Sequence, residues 1–168
     1  MRRGQIISIE ILLTLLLFMT LFFIFQARIN QMFFDSQQNM HYRAYLLAFQ
    51  TSQLLSSSPG SPNAWNSSNV KYVGLAKYRN VLDYEKTKRF FNEMDYNESN
   101  REKLSAGFYN VYVVLKNASD NSIITINGSP AEFGIVAPNN NIFAVSVRTP
   151  VIYAESRSYL DVILWDET

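Results

Sequence analysis

The hydrophobic pattern divides the chain into an apolar run, an amphipathic stretch and a remainder in which short alternating segments prevail. The first run, residues 6–25, is about 20 residues long, the length that crosses the hydrocarbon core of a bilayer. Beyond it, apolar residues follow helical steps of three, four or seven, with polar residues on the opposite face. The apolar positions are Ile29, Phe33, Met40, Ala44, Leu47 and Leu54, and the polar ones are Arg28, Asp35, Gln38 and Arg43.

No Gly or Pro occurs between Gln5 and Ser58, so no helix breaker interrupts these two stretches. At 1.5 Å per residue, one continuous helix here would measure about 80 Å. The stretch "SSSPGSP", residues 56–62, then combines Ser, Pro and Gly and ends the helix. We expect a leader over residues 1–5, a long helix over 6–58 whose part 6–25 spans the membrane, and an extracellular head over 59–168.

The head pattern predicts two short helices followed by strands. Asp83 is the expected N-cap of the first helix, with Phe90, Phe91 and Met94 toward the core. In "SNREKLSAG", residues 99–107, Ser99 or Asn100 is the expected N-cap and Gly107 the C-terminal stop. Alternating segments follow at residues 108–116, 123–128, 131–137, 142–154 and 159–165.

Within these strands, Asn127-Gly128 predicts a tight turn, and Pro150 is expected to break or bend the long segment 142–154. Four to six antiparallel strands packed on the long helix make an α+β fold. The predicted architecture is therefore a long N-terminal hydrophobic and amphipathic helix against a small antiparallel β-sheet head.

Composition and net charge exclude several classes of function. Net charge is +1, from 15 basic and 14 acidic residues, with no basic stripe, so we predict no nucleic-acid partner. Cysteine is absent, which excludes thiol catalysis, disulfides and Cys-based metal sites. The head must then rely on its core, for which 14% aromatic residues supply bulky side chains.

Three interpretations of residues 1–26 compete. A secretory signal has a shorter apolar stretch and a small-residue cleavage site, which this sequence lacks. A plain anchor fits the length, and Arg2 and Arg3 before the run predict that the N-terminus stays inside and the C-terminus outside. Neither explains Glu10, since an ionised carboxylate near a helix centre in lipid costs about 2.5–3.5 kcal/mol. In the third interpretation, proteolysis of the leader exposes an amine, and that amine, in the same or a neighbouring chain, compensates the charge of Glu10.

The stretch "RRGQIISIE", residues 2–10, resembles the class III signal peptide of archaeal type IV pilins and pilin-like proteins. In that family a short basic leader ending in Gly precedes Gln, Ser, Glu and a hydrophobic helix. The resemblance implies that Gly4 precedes the scissile bond, that Gln5 begins the mature chain and that Glu10 serves assembly. The family usually places Glu fifth after the cut, whereas cleavage after Gly4 makes it sixth. Cleavage after Gln5 restores the spacing, and both sites remain open.

Segments of the head extend the resemblance. "SPGSPNAW", "VKYVGLA", "NVLDYEKTKRF" and "LDVILW" look, in that order, like the extracellular part of longer archaeal pilin-like proteins. The family assigns them no chemistry, and we expect Trp65 and "VGLA", residues 73–76, to pin a loop by packing.

No residue pattern typical of a catalytic site is convincing in this sequence, and we predict that the chain is not an enzyme and holds no cofactor or metal. His41, the only histidine, falls on the long helix away from any cleft. The stretch starting at Asp95 begins like a calcium loop but has Asn100 where Gly is needed and Ala106 where Glu is needed. Possible N-glycosylation triplets lie at Asn66, Asn97, Asn117 and Asn127, the last disfavoured by the following Pro130.

We therefore expect a structural subunit of an archaeal type IV pilus-like filament. A minor pilin or pilin-like protein is favoured, since main subunits of the family are often shorter. Implied partners are other pilin subunits, a prepilin peptidase, an assembly ATPase with its membrane platform protein, and lipid before assembly. The chain would begin as a single-pass membrane protein and end in a cell-surface filament. The alternative is an uncleaved, signal-anchored monomeric binding or adhesion module of the envelope.

Overall fold

A computed structural model describes residues 2–138 and 143–166 of the chain, without the side chains of residues 2–9 and 35–38. Over this part the protein is a mixed α+β structure with a long N-terminal helix and an antiparallel-rich sheet. In chain order the elements are α1 Arg2–Ser57, β1 Ala76–Tyr78, β2 Val81–Leu82, α2 Tyr84–Glu93, α3 Glu98–Lys103, β3 Asn110–Asn117, β4 Thr125–Ile126, β5 Ser129–Pro130, β6 Glu132–Gly134, β7 Phe143–Tyr153 and β8 Ser156–Asp166.

Packing divides the chain into two units, Met1–Met40 and His41–Thr168. Helix α1 begins at Arg2, inside the predicted leader, and ends within one residue of the predicted stop at Ser58. The first unit consists of the N-terminal part of α1. The second contains the last turns of α1 and every other helix and strand named above.

The last turns of α1 contact the rest of their unit mainly through small side chains. The fully buried ones are Ala44, Ala48, Thr51, Ser52 and Ser56, and the large Leu55 is fully buried beside them. The Thr51 hydroxyl donates to the carbonyl of Leu104 at 2.9 Å, and the Ser52 hydroxyl hydrogen-bonds that of Thr149. The predicted stripe is correct at Ala44 and wrong at Met40, which is 50% exposed. Short side chains let the helix backbone approach its neighbours closely, and they form most of the contact face, to which Leu55 adds a large apolar side chain.

The C-terminal carbonyls of α1, which have no partner inside the helix, accept hydrogen bonds from the segment around β1. The backbone N–H of Leu75 donates to the carbonyl of Leu55 at 2.9 Å, and that of Asn80 donates to Ser56 at 2.8 Å. Just beyond the helix, Ala76 N–H donates to Ser58 at 3.0 Å. The helix end is thereby satisfied by the backbone of the head.

The predicted role of Trp65 in packing is confirmed. Its side chain is fully buried, and its indole N–H donates to the carbonyl of Gly74 at 2.9 Å. A Cβ at Gly74 would collide with the backbone of Ser58 and Gly60, so this crossing requires glycine. The "VGLA" segment that contains Gly74 is buried throughout.

Both predicted short helices form, but only the first with the expected ends. Asp83 caps α2 by accepting from the backbone N–H of Lys86. The cap of α3 is Asn97, not Ser99 or Asn100, because its side chain accepts from the backbone N–H of Asn100 at 2.8 Å. Helix α3 ends at Lys103, well before Gly107, and Leu104 beyond it is fully buried.

The six-stranded sheet has the order β1-β2-β7-β8-β3-β6, and β4 pairs with β5 in a separate hairpin. Its neighbours are antiparallel except β2 and β7, which are parallel, so the prediction of an all-antiparallel sheet is wrong at this pair. The Asn127-Gly128 turn is confirmed, with φ of 53° and 86°, the left-handed geometry that a two-residue hairpin loop favours.

Strand β7 runs through Pro150 without a break, so the expectation of a break at this residue is wrong. The N–H of Ile152 donates to the carbonyl of Asn80, next to β2, at 2.8 Å, so it points away from β8. Because N–H groups alternate in direction along a strand, the residue two positions before Ile152 faces the same way. That residue is Pro150. Its missing N–H therefore removes no bond to β8.

On the other side of the sheet from the core, Asp161 is 3% exposed and carries two cationic partners. Arg148 holds both carboxylate oxygens, at 2.7 and 2.8 Å, and Lys116 Nζ lies 3.1 Å from the second. Burial favours the protonated acid, but the hydrogen bonds and charges of Arg148 and Lys116 outweigh it and hold the pKa of Asp161 below its usual value. The ion pairs therefore stabilise the fold at neutral pH, and the contribution is lost as pH falls through that lowered pKa.

We expect Ala48→Leu to destabilise the second unit by about 1–3 kcal/mol, because a larger side chain cannot fit on the buried face of α1. Urea unfolding of the full-length protein in detergent measures this. Gln50→Leu adds the same side chain at an exposed position of the same helix and should change stability little. Equal effects of the two substitutions would contradict the close packing described.

We expect Asp161→Asn to lower the free energy of unfolding by about 3 kcal/mol at pH 7, because Arg148 and Lys116 lose their buried counter-charge. The difference from the unaltered protein should shrink at pH 3, below the ordinary aspartate pKa of about 3.9, because the unfolded chain then takes up a proton at Asp161 that the folded state resists. Urea unfolding at both pH values tests this, with the exposed Asp95→Asn as control. A loss that is the same at both pH values would show that the charge is not its cause.

Candidate functional site

The first candidate site is the apolar segment of α1 in the first unit. Every large apolar side chain from Ile11 to Phe25 is exposed, between 46% at Phe22 and 68% at Phe23. Because these side chains point in all directions around the helix, the segment has no polar face to turn toward water. Residues 10–57 contain a window with mean hydropathy 2.1, none of it buried, which is long and apolar enough to cross a membrane.

Glu10 stands at the start of this segment and is exposed. Thr14, one turn further on, donates its hydroxyl to the backbone carbonyl of Glu10 at 2.8 Å, so the Thr14 side chain is satisfied within the helix. No ion pair involves the Glu10 carboxylate among the described residues. Within the described part of the chain the carboxylate thus has no ion-pair partner, and it lies beside continuous apolar surface.

The predicted cleavage residues, Gly4 and Gln5, fall within the backbone range of α1, and their side chains lie outside the described part of the chain. Cleavage after either residue stays a prediction.

The four glycosylation triplets occupy surface turns and caps. Asn66, Asn97 and Asn127 are exposed, whereas Asn117 is half-buried. The side-chain oxygen of Asn66 accepts from the backbone of Ser68 and Asn69, and that of Asn97 caps α3. Since these bonds use the amide oxygen, the nitrogen that would carry a sugar takes no part in them.

Among the described residues no group of three or more His, Asp or Glu side chains could hold a metal ion. His41 is exposed and packs its ring on Phe143, with centroids 4.5 Å apart. Around Asp95 the chain forms the cap of α3 instead of an ion loop, since the Asn100 side-chain amide donates to the carbonyl of Asp95 at 2.8 Å.

The sequence patterns did not reveal a surface groove of about 330 Å³ in the second unit. Tyr84 at the start of α2 and Tyr153 at the end of β7 line it, together with residues of the β4–β5 hairpin. These residues lie far apart in the chain, so only the sheet topology brings them together. The sole local signal was the Asn127-Gly128 turn at its rim.

Comparison with protein-family models, with curated proteins and with solved structures found no match for this chain.

We expect Phe18→Lys to weaken membrane insertion strongly, because a lysine near the centre of a spanning helix costs about 2.5–3.5 kcal/mol. Extraction of cell membranes at alkaline pH, followed by immunoblotting, measures the fraction that stays inserted. Phe108→Lys makes the same change at a head residue that is 94% exposed and should leave insertion unchanged. Full retention of the Phe18→Lys protein in the membrane would argue against a transmembrane role for this segment.

Proposed function

We propose that this chain is a structural subunit of an archaeal type IV pilus-like filament, in the role of a minor pilin or pilin-like protein. The observation that carries the proposal is the exposed apolar surface on all sides of α1 from Ile11 to Phe25, with a single acid, Glu10, at its start. Lipid covers such a surface before assembly, and the same segment of other subunits covers it afterwards.

A comparison of energies supports a purpose for Glu10 beyond anchoring. Removing one large apolar side chain from water contributes about 1.5–3 kcal/mol, so two or three residues of the segment offset the cost of about 2.5–3.5 kcal/mol for the acid. Insertion thus tolerates Glu10 but gains nothing from it. A positive charge beside Glu10 would offset this cost and would form a specific ion pair with the carboxylate.

The amine released by leader cleavage supplies such a charge. If Ile6 is the first mature residue, its amine lies four positions before Glu10, about 6 Å along the helix axis; if Gln5 is first, about 7.5 Å. Helices of neighbouring subunits that pack side by side bring one subunit's amine to another's carboxylate. Apolar burial then provides cohesion, and the charge pair sets the axial register between subunits.

In this proposal the precursor inserts with Arg2 and Arg3 inside the cell, and a prepilin peptidase removes the leader on that side. An assembly ATPase and its membrane platform protein transfer the subunit from lipid to the filament. The head stays outside, where Asn66 and Asn97 are exposed glycosylation acceptors. The proposal gives the chain no catalytic role, cofactor or nucleic-acid partner.

N-terminal sequencing and intact-mass measurement of the protein from native cells test the proposal. We expect loss of residues 1–4 or 1–5, and any sugar on the head appears as added mass in the same experiment. A protein that keeps Met1 and occurs as a monomer would instead support the alternative, a signal-anchored binding or adhesion module.

We expect Glu10→Ala to leave leader processing largely intact and to prevent incorporation into filaments, because the amine of a neighbouring subunit loses its counter-charge. Immunoblots of sheared filaments and of membranes, from cells that express only the variant, measure both effects. Glu10→Asp keeps the charge and should restore part of the incorporation, and Glu102→Ala removes an exposed acid of the head as a control. Normal incorporation of the Glu10→Ala protein would refute the role of this carboxylate.

A further inference from the structure

The groove of about 330 Å³ in the second unit has one aromatic wall. The rings of Tyr84 and Tyr153 are nearly parallel, 12° apart, with centroids separated by 6.0 Å. Tyr153 is 5% exposed and belongs to the core, whereas Tyr84 is 49% exposed. The pair therefore combines an anchored ring with an accessible one, both lining the same groove.

The other walls carry no charge, and they mix polar side chains with the apolar Ile124, Ile126 and Ala154. Asn117 from β3, Thr125 from β4, and Ser156 and Ser158 from β8 contribute amide and hydroxyl groups. No Asp, Glu, Lys, Arg or His is found among the described residues that line the groove. The amide oxygen of Asn117 already accepts from Ser119, which leaves its N–H groups available as donors. Such walls offer several hydrogen bonds and no counter-ion, which disfavours a charged ligand.

Short hairpin turns hold the rims of the groove in place. Asn127 and Gly128 form the turn of the β4–β5 hairpin, and Ala154 and Glu155 that of β7–β8. Ala154 and Glu155 have φ of 47° and 64°, a region that costs residues other than glycine free energy. The long paired strands β7 and β8 hold this turn, which favours a rim that is formed at this end before any ligand arrives.

We propose that this groove binds a neutral saccharide of one or two sugar units. Sugars carry C–H groups on one face, which pack against the electron-rich face of an aromatic ring, and hydroxyls around their edge, which exchange hydrogen bonds with amides and alcohols. An aromatic pair whose neighbours are uncharged, some with amide or hydroxyl groups and some apolar, fits both properties, and the volume suits a ligand of this size. The inference concerns the head alone and does not rest on the filament proposal.

The ionisation of the inner tyrosine agrees with an uncharged groove. Burial raises the pKa of Tyr153 to about 12, and the repulsion that its ionised form would meet from an ionised Tyr84 and from Glu85, which lies outside the lining, acts in the same direction. Its phenol therefore stays neutral across physiological pH.

The test uses the full-length chain, produced in a bacterial host without N-linked glycosylation so that no sugar on Asn117 or Asn127 fills the groove. A detergent without a sugar headgroup, such as an amine oxide, is required, since alkyl maltosides would compete. The probes are glucose, galactose, mannose, N-acetylglucosamine and their β1,4-linked homodisaccharides, with glucuronate as the charged comparison. Saturation-transfer NMR detects binding, and calorimetric titration gives the dissociation constant.

We expect at least one neutral sugar to bind, and glucuronate to bind more weakly. Tyr84→Ala should weaken binding about tenfold, which corresponds to about 1.4 kcal/mol, whereas Tyr84→Phe keeps the ring and should change it less than about threefold. Thr125→Val removes one hydroxyl at nearly constant volume and should also weaken binding. Tyr78→Ala removes a tyrosine that is 69% exposed and does not line the groove, so it should bind normally.

The proposal is overturned if no sugar of the panel binds the folded protein. It is equally overturned if both Tyr84→Ala and Thr125→Val bind as the unaltered protein does. Thermal melting of each variant separates loss of the groove from loss of the fold. Because binding is measured on the isolated chain, the result is independent of leader cleavage and filament assembly.

Discussion

The rest of the molecule depends on one constraint, the apolar surface of α1 that faces outward in every direction between Ile11 and Phe25. A helix with a polar face can settle on a globular domain, but this segment cannot, because every orientation leaves large side chains in water. It requires an apolar environment from outside the chain. A bilayer provides that environment, and a bundle of identical helices would provide it equally well. In the filament that we propose, Glu10 makes the bundle more specific than the bilayer, because a charge can find a partner only there.

The last turns of α1 pack within the second unit in a different way. Helix α1 meets the rest of the second unit mainly through small side chains, among them Ala44, Ala48 and Ser52, spaced one turn apart, and Leu55 adds a large apolar one. Short side chains give up apolar area but allow the closest approach of backbones. That approach makes polar contacts possible, such as the bond from Thr51 to the carbonyl of Leu104. The core itself comes from the sheet and α2, where Phe90, Phe133 and Leu160 are buried.

The elements that could be predicted from the sequence are those determined by residues close to one another in the chain. The length of the apolar run, the cap at Asp83 and the Asn127-Gly128 turn follow from spacing or from a few adjacent residues. The failures depend on contacts distant in the chain. Pro150 is harmless because β2 meets β7 only near Ile152, and the parallel β2–β7 pair depends on the same contact. The cap of α3 was missed for another reason, since three neighbouring residues, Asn97, Ser99 and Asn100, all have side chains that can cap.

The same distinction applies to the candidate sites. Glu10 could be found from the sequence because a charge within an apolar run is visible without a fold. The groove could not, since Tyr84 and Tyr153 meet only after β7 has joined the sheet beside β2. The residues that supply its hydroxyl and amide groups range from the exposed Thr125 to the buried Ser158, and none of them stands out in the sequence. What makes them a candidate binding site is that they converge on an aromatic pair.

The bonds from Leu75, Asn80 and Ala76 to the carbonyls at the end of α1 have a mechanical consequence. In the filament that we propose, a pull along the axis would enter each head through the final turn of its helix. The force would then not pass through the Ser-Pro-Gly connection alone, because main-chain hydrogen bonds to the segment around β1 would share it. In that setting these bonds would resist separation of the head from its helix under tension.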